Sequence, residues 1–218
     1  MKKIVGLTFG IACLAAAINA HASSSAELIV RGTIKPAACN LSMTGGGIVD
    51  YGTIPSGQLL PTAFNPLLPK TAPLSINCGT TPAKFGLKFV DLQGASKVPG
   101  ILNALGAGYT EAHNYGLGAV GGRRTGGFAI TLKDLRSSTS TLAPIVRVGT
   151  GAWQNSDGKV AQAPSQYSWR NTTAVTPAAI SQLTGTLEVR AVINRGQDLD
   201  LSRDTVLDGR ATLELSYI

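Results

Sequence analysis

Apolar residues recur at every second position along much of this chain. Leu74, Ile76 and Cys78 alternate with Ser75 and Asn77, and Phe85, Leu87 and Phe89 form a second such run. Phe128, Ile130 and Leu132 form a third, and Leu187, Val189, Ala191 and Ile193 a fourth. At the end of the chain Ala211, Leu213, Leu215 and Tyr217 share one face. Side chains of a strand point alternately to its two faces, so this period predicts half-buried strands. Runs of this kind, broken by Gly, Pro, Asn and Ser clusters, predict an all-β fold built as an antiparallel sandwich. No long window carries a helical stripe; Thr176–Leu183 has room for one short turn of helix.

Two stretches break the pattern. Residues 59–70 carry Pro61, Pro66 and Pro69, which do not fit inside a central strand. Residues 94–127 are long and rich in glycine. They form either a surface excursion or a cover for short strands around Ile101–Leu105 and Leu117–Val120. No linker or internal repeat divides the remainder, so residues 36–218 read as one domain.

The first residues change the picture of where this domain works. Met1-Lys2-Lys3 is a short cationic start, Ile4–Ala20 is uncharged and apolar or small, and Ala20-His21-Ala22 offers small residues at the positions a signal peptidase reads. Residues 1–22 therefore read as a secretory signal peptide. The run is slightly short for a membrane anchor, which needs about 20 apolar residues. Cys13 leaves with the leader, and Cys39 and Cys78 remain. In an oxidising compartment two cysteines imply one disulfide. Closing a loop of about 40 residues contributes about 4 kcal/mol in the chain-entropy model.

Charge adds little. The formal net charge of +7 includes Lys2 and Lys3 of the leader, and the other cations are scattered. Arg123-Arg124 is the one adjacent pair outside the leader, whereas nucleic-acid binding calls for a patch or stripe. No nucleic-acid partner is expected.

Candidate chemistry is equally sparse. Gly116-Leu-Gly118-Ala-Val-Gly121 satisfies G-x-G-x-x-G, but a dinucleotide site also needs a preceding parallel strand and a following helix. His113, with Glu111 two residues away, lacks a nucleophile elbow, and a surface loop histidine is the plainer reading. Asp198 and Asp200 resemble a solvated turn. Trp153, Tyr167 and Trp169 lie in a polar stretch and are either a sugar-stacking surface or core and edge packing. No cofactor, metal site or enzymatic activity is expected.

Residues 26–39 read Ala-Glu-Leu-Ile-Val-Arg-Gly-Thr-Ile-Lys-Pro-Ala-Ala-Cys. Leu28, Val30, Gly32 and Ile34 share one face; Ile29, Arg31, Thr33 and Lys35 share the other. The pattern alone suits the first strand of the chain's own sheet as well as a segment given to another molecule.

Here the sequence resembles the subunits of chaperone–usher fimbriae of Gram-negative bacteria, in a branch with a longer middle region. Leu-x-Val-Arg-Gly-x-Ile followed by a cysteine is similar to their mature N-terminus. Val49-Asp50-Tyr51-Gly52-Thr53-Ile54, the Cys39/Cys78 spacing, and Asp208-Gly-x-Ala-Thr-Leu-x-Leu-x-Tyr217 are further matches. The resemblance covers both ends and the disulfide, and residues 94–180 contribute little to it. It implies an immunoglobulin-like, pilin-type sandwich that lacks its last strand and is finished by a donor strand from a neighbour.

On that likeness residues 23–35 are an N-terminal extension, with Leu28, Val30, Gly32 and Ile34 as the donated face. Leu213, Leu215 and Tyr217 of the closing strand line the acceptor groove, and the Ile218 carboxylate meets the chaperone. The implied partners are a periplasmic chaperone, an outer-membrane usher and neighbouring fimbrial subunits. The implied route is export to the periplasm and then to a fimbrium on the cell surface, in cell adhesion. The second functional expectation is a periplasmic or pilus-tip carbohydrate-binding module that contacts a host glycan through residues 153–169. Two departures stand out. Pilins carry a glycine about 14 residues before the end, where this chain has Asp204-Thr205 and its nearest glycine is Gly209. The chain is also longer than a typical shaft subunit.

The leader reading has a direct check. N-terminal sequencing of the exported protein is expected to begin at Ser23, and a protein still carrying Met1–Ala22 would refute it.

Overall fold

The computed structural model describes residues 27–32 and 38–218. The leader 1–22 and most of the expected extension, including Ile34, lie outside the described residues. The chain divides by compactness into two units, Met1–Lys35 and Pro36–Ile218. Within the first, residues 27–32 form neither strand nor helix, and Leu28 and Val30 are 88% and 87% exposed.

The second unit is all-β. Its strands are β1 (Asn40–Met43), β2 (Asn65–Pro66), β3 (Lys70–Asn77), β4 (Phe85–Asp91), β5 (Tyr115–Gly116), β6 (Ala119–Val120) and β7 (Arg123–Arg124). They continue with β8 (Gly126–Arg136), β9 (Ala143–Val148), β10 (Gln154–Asn155), β11 (Ser165–Arg170), β12 (Gln182–Ile193) and β13 (Ala211–Tyr217). Every helical segment among the described residues is a short 3-10 turn.

The strands form two antiparallel sheets and a small β6–β7 hairpin. The first sheet runs β1-β3-β12-β8-β5, with β2 beside the end of β12; the second runs β10-β9-β11-β4-β13. β3 shows the alternation expected of it, burying Ala72, Leu74 and Ile76. Pro73 interrupts that strand where β1 no longer flanks it, since β1 reaches only as far as Leu74. A missing N–H is tolerated at such an edge.

The inner faces share one core of Leu74, Ile76, Phe85, Leu87, Phe89, Phe128, Ile130, Leu132, Leu183 and Leu187 with Tyr167 and Trp169. Phe85 meets Trp169 edge-on at 4.8 Å between ring centroids. Tyr167 and Trp169 are 2% and 0% exposed, so of the three aromatics considered for a sugar-stacking surface these two belong to the core. The Tyr167 hydroxyl donates to the Lys159 carbonyl and accepts from the Ala161 N–H, so even its polar tip is occupied. Trp153 is half-buried, with the Arg147 guanidinium 4.7 Å from its ring centroid.

The glycine-rich stretch 94–127 is neither a free excursion nor a pair of strands at the places considered. Ile101–Leu105 is a 3-10 turn entered through Gly100 at φ 72°, and it buries Ile101, Leu102 and Leu105. These side chains pack with Ala129 of β8 and Val192 of β12. They therefore cover the back of the first sheet, and Gly126–Leu132 is buried on both faces. In the second place, the strand is only Ala119–Val120, paired with Arg123–Arg124, while Leu117 is buried beside it. The proline-rich loop 59–70 also holds one short paired segment, β2.

Thr176–Leu183 is not helical. Ala178 N–H donates to the Trp169 carbonyl, and Ile180 exchanges both backbone bonds with Ala83. With its backbone groups already paired across the fold, the segment leads into β12 instead of coiling on itself.

Cys39 and Cys78 are joined, with an S–S distance of 2.03 Å and a sequence separation of 39. The disulfide ties the residue before β1 to the residue after β3. Replacing both cysteines by serine is expected to lower unfolding free energy by about 4 kcal/mol, mainly through the unfolded chain. Urea denaturation of oxidised protein and the double variant measures this; an unchanged midpoint would refute it.

Candidate functional site: an open seam beside the last strand

The core is well covered at its centre and thin along one side. Phe85, Leu87 and Trp169 are fully buried, whereas Leu41, Met43, Val49, Tyr51, Leu207, Ala211, Leu213 and Leu215 are only partly buried. The partly buried group belongs to β1, the segment after it, and the approach to β13 together with β13 itself. β1 and β13 are the end strands of their sheets. The incompletely covered apolar surface thus follows one seam of the sandwich.

A cleft of about 420 Å³ occupies this seam. Its floor is the inner face of the first sheet, with Ala72, Phe128, Ile130, Leu187, Val189 and Ala191. Met43–Tyr51 forms one wall and Leu207–Leu213 the other. Gly209 sits tightly in the second wall: a Cβ there would lie 2.7 Å from Phe128 Cε1 and 2.9 Å from Leu117 Cδ2. The glycine thus lets the chain pass close over the floor residue Phe128 before it enters β13.

β13 offers this seam an unused hydrogen-bonding edge. It pairs along its whole length with β4, from Ala211↔Asp91 to Tyr217↔Phe85. Arg210 accepts from the Leu92 N–H at one end, and the Ile218 N–H donates to the Lys84 carbonyl at the other. Bonded positions alternate along an antiparallel ladder. The even-numbered residues therefore face β4, and Ala211, Leu213, Leu215 and Tyr217 direct N–H and C=O to the opposite side. Among the described residues no strand pairs with that side. Such an edge is a ready template for another strand.

Two tyrosines hold the walls. Tyr51 donates its hydroxyl proton to the Val189 carbonyl at 3.0 Å and accepts from the Ala191 N–H at 3.3 Å. This fastens the loop after β1 to β12, and burial pushes the phenol's pKa upward. The Tyr217 hydroxyl accepts from the Cys39 N–H at 2.7 Å, linking the end of β13 to the disulfide.

Among the residues expected to line a groove, Leu213 does so, together with Ala211. Leu215 is half-buried farther along β13, and Tyr217 is 52% exposed and spends its hydroxyl on Cys39. Ile218 is fixed through its N–H to Lys84. Of the expected donor face, Leu28, Val30 and Gly32 lie in the described part of the first unit and Ile34 does not. The sequence marked Phe128, Ile130, Leu187, Val189 and Ala191 only as apolar strand faces and did not mark Met43, because only the stacking of the two sheets brings them together.

The remaining candidates have structural employment. His113 Nδ1 accepts from the Thr110 N–H at 3.0 Å, and burial lowers the imidazole's pKa. Glu111 binds the Gly100 N–H and the Asn114 side-chain amide, not His113. Gly116–Gly121 leads into the β6–β7 hairpin, not into the helix a dinucleotide site requires. Asp200 is held by Arg203 at 2.9 Å, and Asp198 lies 3.9 Å from Arg195.

Comparison with known proteins adds relatives without adding an activity. A family described as "Protein of unknown function (DUF1120)" matches residues 28–129, from the exposed apolar segment into β8. Protein GltF of Escherichia coli (strain K12) is similar at 28% identity over 97% of this chain and 98% of its own length.

Tyr51→Phe tests whether the wall depends on the hydroxyl. Loss of its two bonds is expected to cost about 1–2 kcal/mol in urea unfolding. Tyr51's pKa is raised on folding, so the stability it confers is fully present below its unfolded value of about 10 and drains as pH rises through the folded value. The phenylalanine variant is expected to lose less stability above that pH than the parent. Equal losses would refute the assignment.

Proposed function

We propose that this chain is a structural subunit of a fimbria, assembled by chaperone–usher donor-strand exchange. In this reading the seam is the acceptor groove and Leu28–Ile34 is the strand given to a neighbour. The sandwich is then of the immunoglobulin-like, pilin type, lacking its last strand. The observation that carries the reading is the coincidence of a cleft whose apolar walls are only partly buried with the unpaired edge of β13. The exported-protein leader and the disulfide support it, as does the resemblance at both ends of the chain.

The chemistry of the exchange follows from what the seam lacks. Antiparallel addition to β13 supplies backbone partners for Ala211, Leu213, Leu215 and Tyr217, while alternate side chains enter the cleft. Burying Leu28, Val30 and Ile34 contributes about 1.5–3 kcal/mol for each side chain fully removed from water. Gly32 fills a position where the incoming backbone approaches the floor closely. Before a neighbour arrives, the same edge is an aggregation hazard, which a periplasmic chaperone covers in transit.

Deletion of Ser23–Lys35 is expected to abolish oligomers of the purified protein while leaving the disulfide and the β circular-dichroism signal intact. A synthetic peptide of residues 26–37 is expected to raise the melting temperature of the deleted protein by several degrees and suppress its aggregation. A full-length protein that stays monomeric, with a melting temperature indifferent to the peptide, would refute strand exchange.

A further inference from the structure

A second cleft, about 630 Å³, continues the seam past the start of β13. Val49, Tyr51 and Leu207 line both clefts, so the two meet at the Ala211 end of the strand. Unlike the seam, the second cleft has acidic walls. Asp50 stands on one side and Asp204 on the other, and neither forms an ion pair among the described residues. Asp50 uses one carboxylate oxygen on the Gly52 N–H, and the nearby Lys70 is bonded to the Asp50 carbonyl. Arg203, which also lines the cleft, is engaged by Asp200 at 2.9 Å.

A second feature of the same cleft lacks a partner. Thr125 lines it and is fully buried, and its hydroxyl has no hydrogen-bond partner. A buried hydroxyl left in that state is costly. It shares the cleft with two carboxylates that have no cation of their own.

We infer that this cleft receives Lys35 of the segment inserted by a second copy of this chain, and so fixes the register of the inserted strand. The inference rests on the strand-exchange reading above. The segment Leu28–Ile34 has the seven-residue length of β13. All pairings in the second sheet are antiparallel, and antiparallel addition is somewhat more stable per residue than parallel. Laid antiparallel along β13, the segment sets Leu28 beside Tyr217 and Ile34 beside Ala211. Lys35 then follows directly, at the end where Asp50 and Asp204 stand.

Register needs such a device because the apolar pattern alone does not set it. A slip of one residue turns Arg31 and Thr33, with Ile29, toward the floor and is excluded by the polarity of Arg31 and Thr33. A slip of two residues keeps Leu28, Val30, Gly32 and Ile34 facing the floor, so the alternation does not reject it. That slip carries Lys35 roughly 7 Å along the strand, away from the two carboxylates. The partner is thus recognised by a cation at a fixed distance from an apolar alternating segment.

The test is uptake of fluorescent peptides of residues 26–37 by the full exported chain, followed by anisotropy at low salt. Asp204→Lys and Asp50→Lys are each expected to slow uptake of the native peptide about tenfold, as reversal of a charge at a docking rim does. A peptide carrying Lys35→Glu is expected to be slow on the unmodified chain and to regain speed on the Asp204→Lys chain. Asp204 is exposed, so its replacement leaves the core untouched, and circular dichroism checks this. Native-rate uptake by both variants, or failure of the reversed pair to recover, overturns the lysine assignment and leaves strand exchange standing. No uptake of any peptide by the unmodified chain overturns both.

Discussion

A sandwich is stable only where the inner face of each sheet is covered, and here the cover thins along one seam, between the end strands β1 and β13. β12 and β8 present a continuous apolar inner face, while the opposing sheet stops at β13. Along the seam between β13 and β1 the wall residues Met43, Val49, Leu207, Ala211 and Leu213 are only partly buried, although the floor residues Phe128, Ile130 and Ala191 beneath them are buried. The pattern of burial follows from this. Residues at the centre of the stack and on the floor of the seam are enclosed, and those of the seam's walls are half-enclosed. Backbone and side-chain needs coincide there, because one added strand would cover the partly buried walls and pair with the edge of β13.

The rest of the fold is arranged so that the seam keeps its shape. The disulfide holds the start of β1 against the end of β3, and the Tyr217 hydroxyl carries that restraint to the end of β13. Tyr51 bolts the opposite wall to β12, using two backbone groups that a neighbouring strand would otherwise take. Gly209 lets the chain cross close above Phe128, and an L side chain there would press on the ring. A groove held from three sides in this way is already formed, which would lower the ordering cost of taking up a strand.

Much of the architecture was legible before any coordinates. The alternations at Leu74–Cys78, Phe85–Phe89, Phe128–Leu132, Leu187–Ile193 and Ala211–Tyr217 each correspond to a strand of the sandwich, and the cysteines pair. What was misjudged has a common cause. Ile101–Leu105 was considered for a strand and is a 3-10 turn, because its apolar side chains seal the back of β8 rather than alternate across a sheet. Thr176–Leu183 had room for a short turn of helix, yet its backbone is paired with Trp169 and with Ala83, the latter far away in sequence. Tyr167 and Trp169 were ambiguous because an aromatic in a polar stretch reads the same whether it faces solvent or core.

The sequence by itself determined the all-β class, the strands of the core and the apolar alternating segment Leu28–Ile34. These are local properties: a two-residue period states which face of a strand is apolar wherever that strand lies. Only the tertiary structure decided that the apolar faces are unequally covered, that β13 is an end strand, and that Asp50 and Asp204 share a cleft with Thr125. Those facts depend on which strands become neighbours. That choice is made by long-range pairing and stacking between segments far apart in the chain, and no local period encodes it.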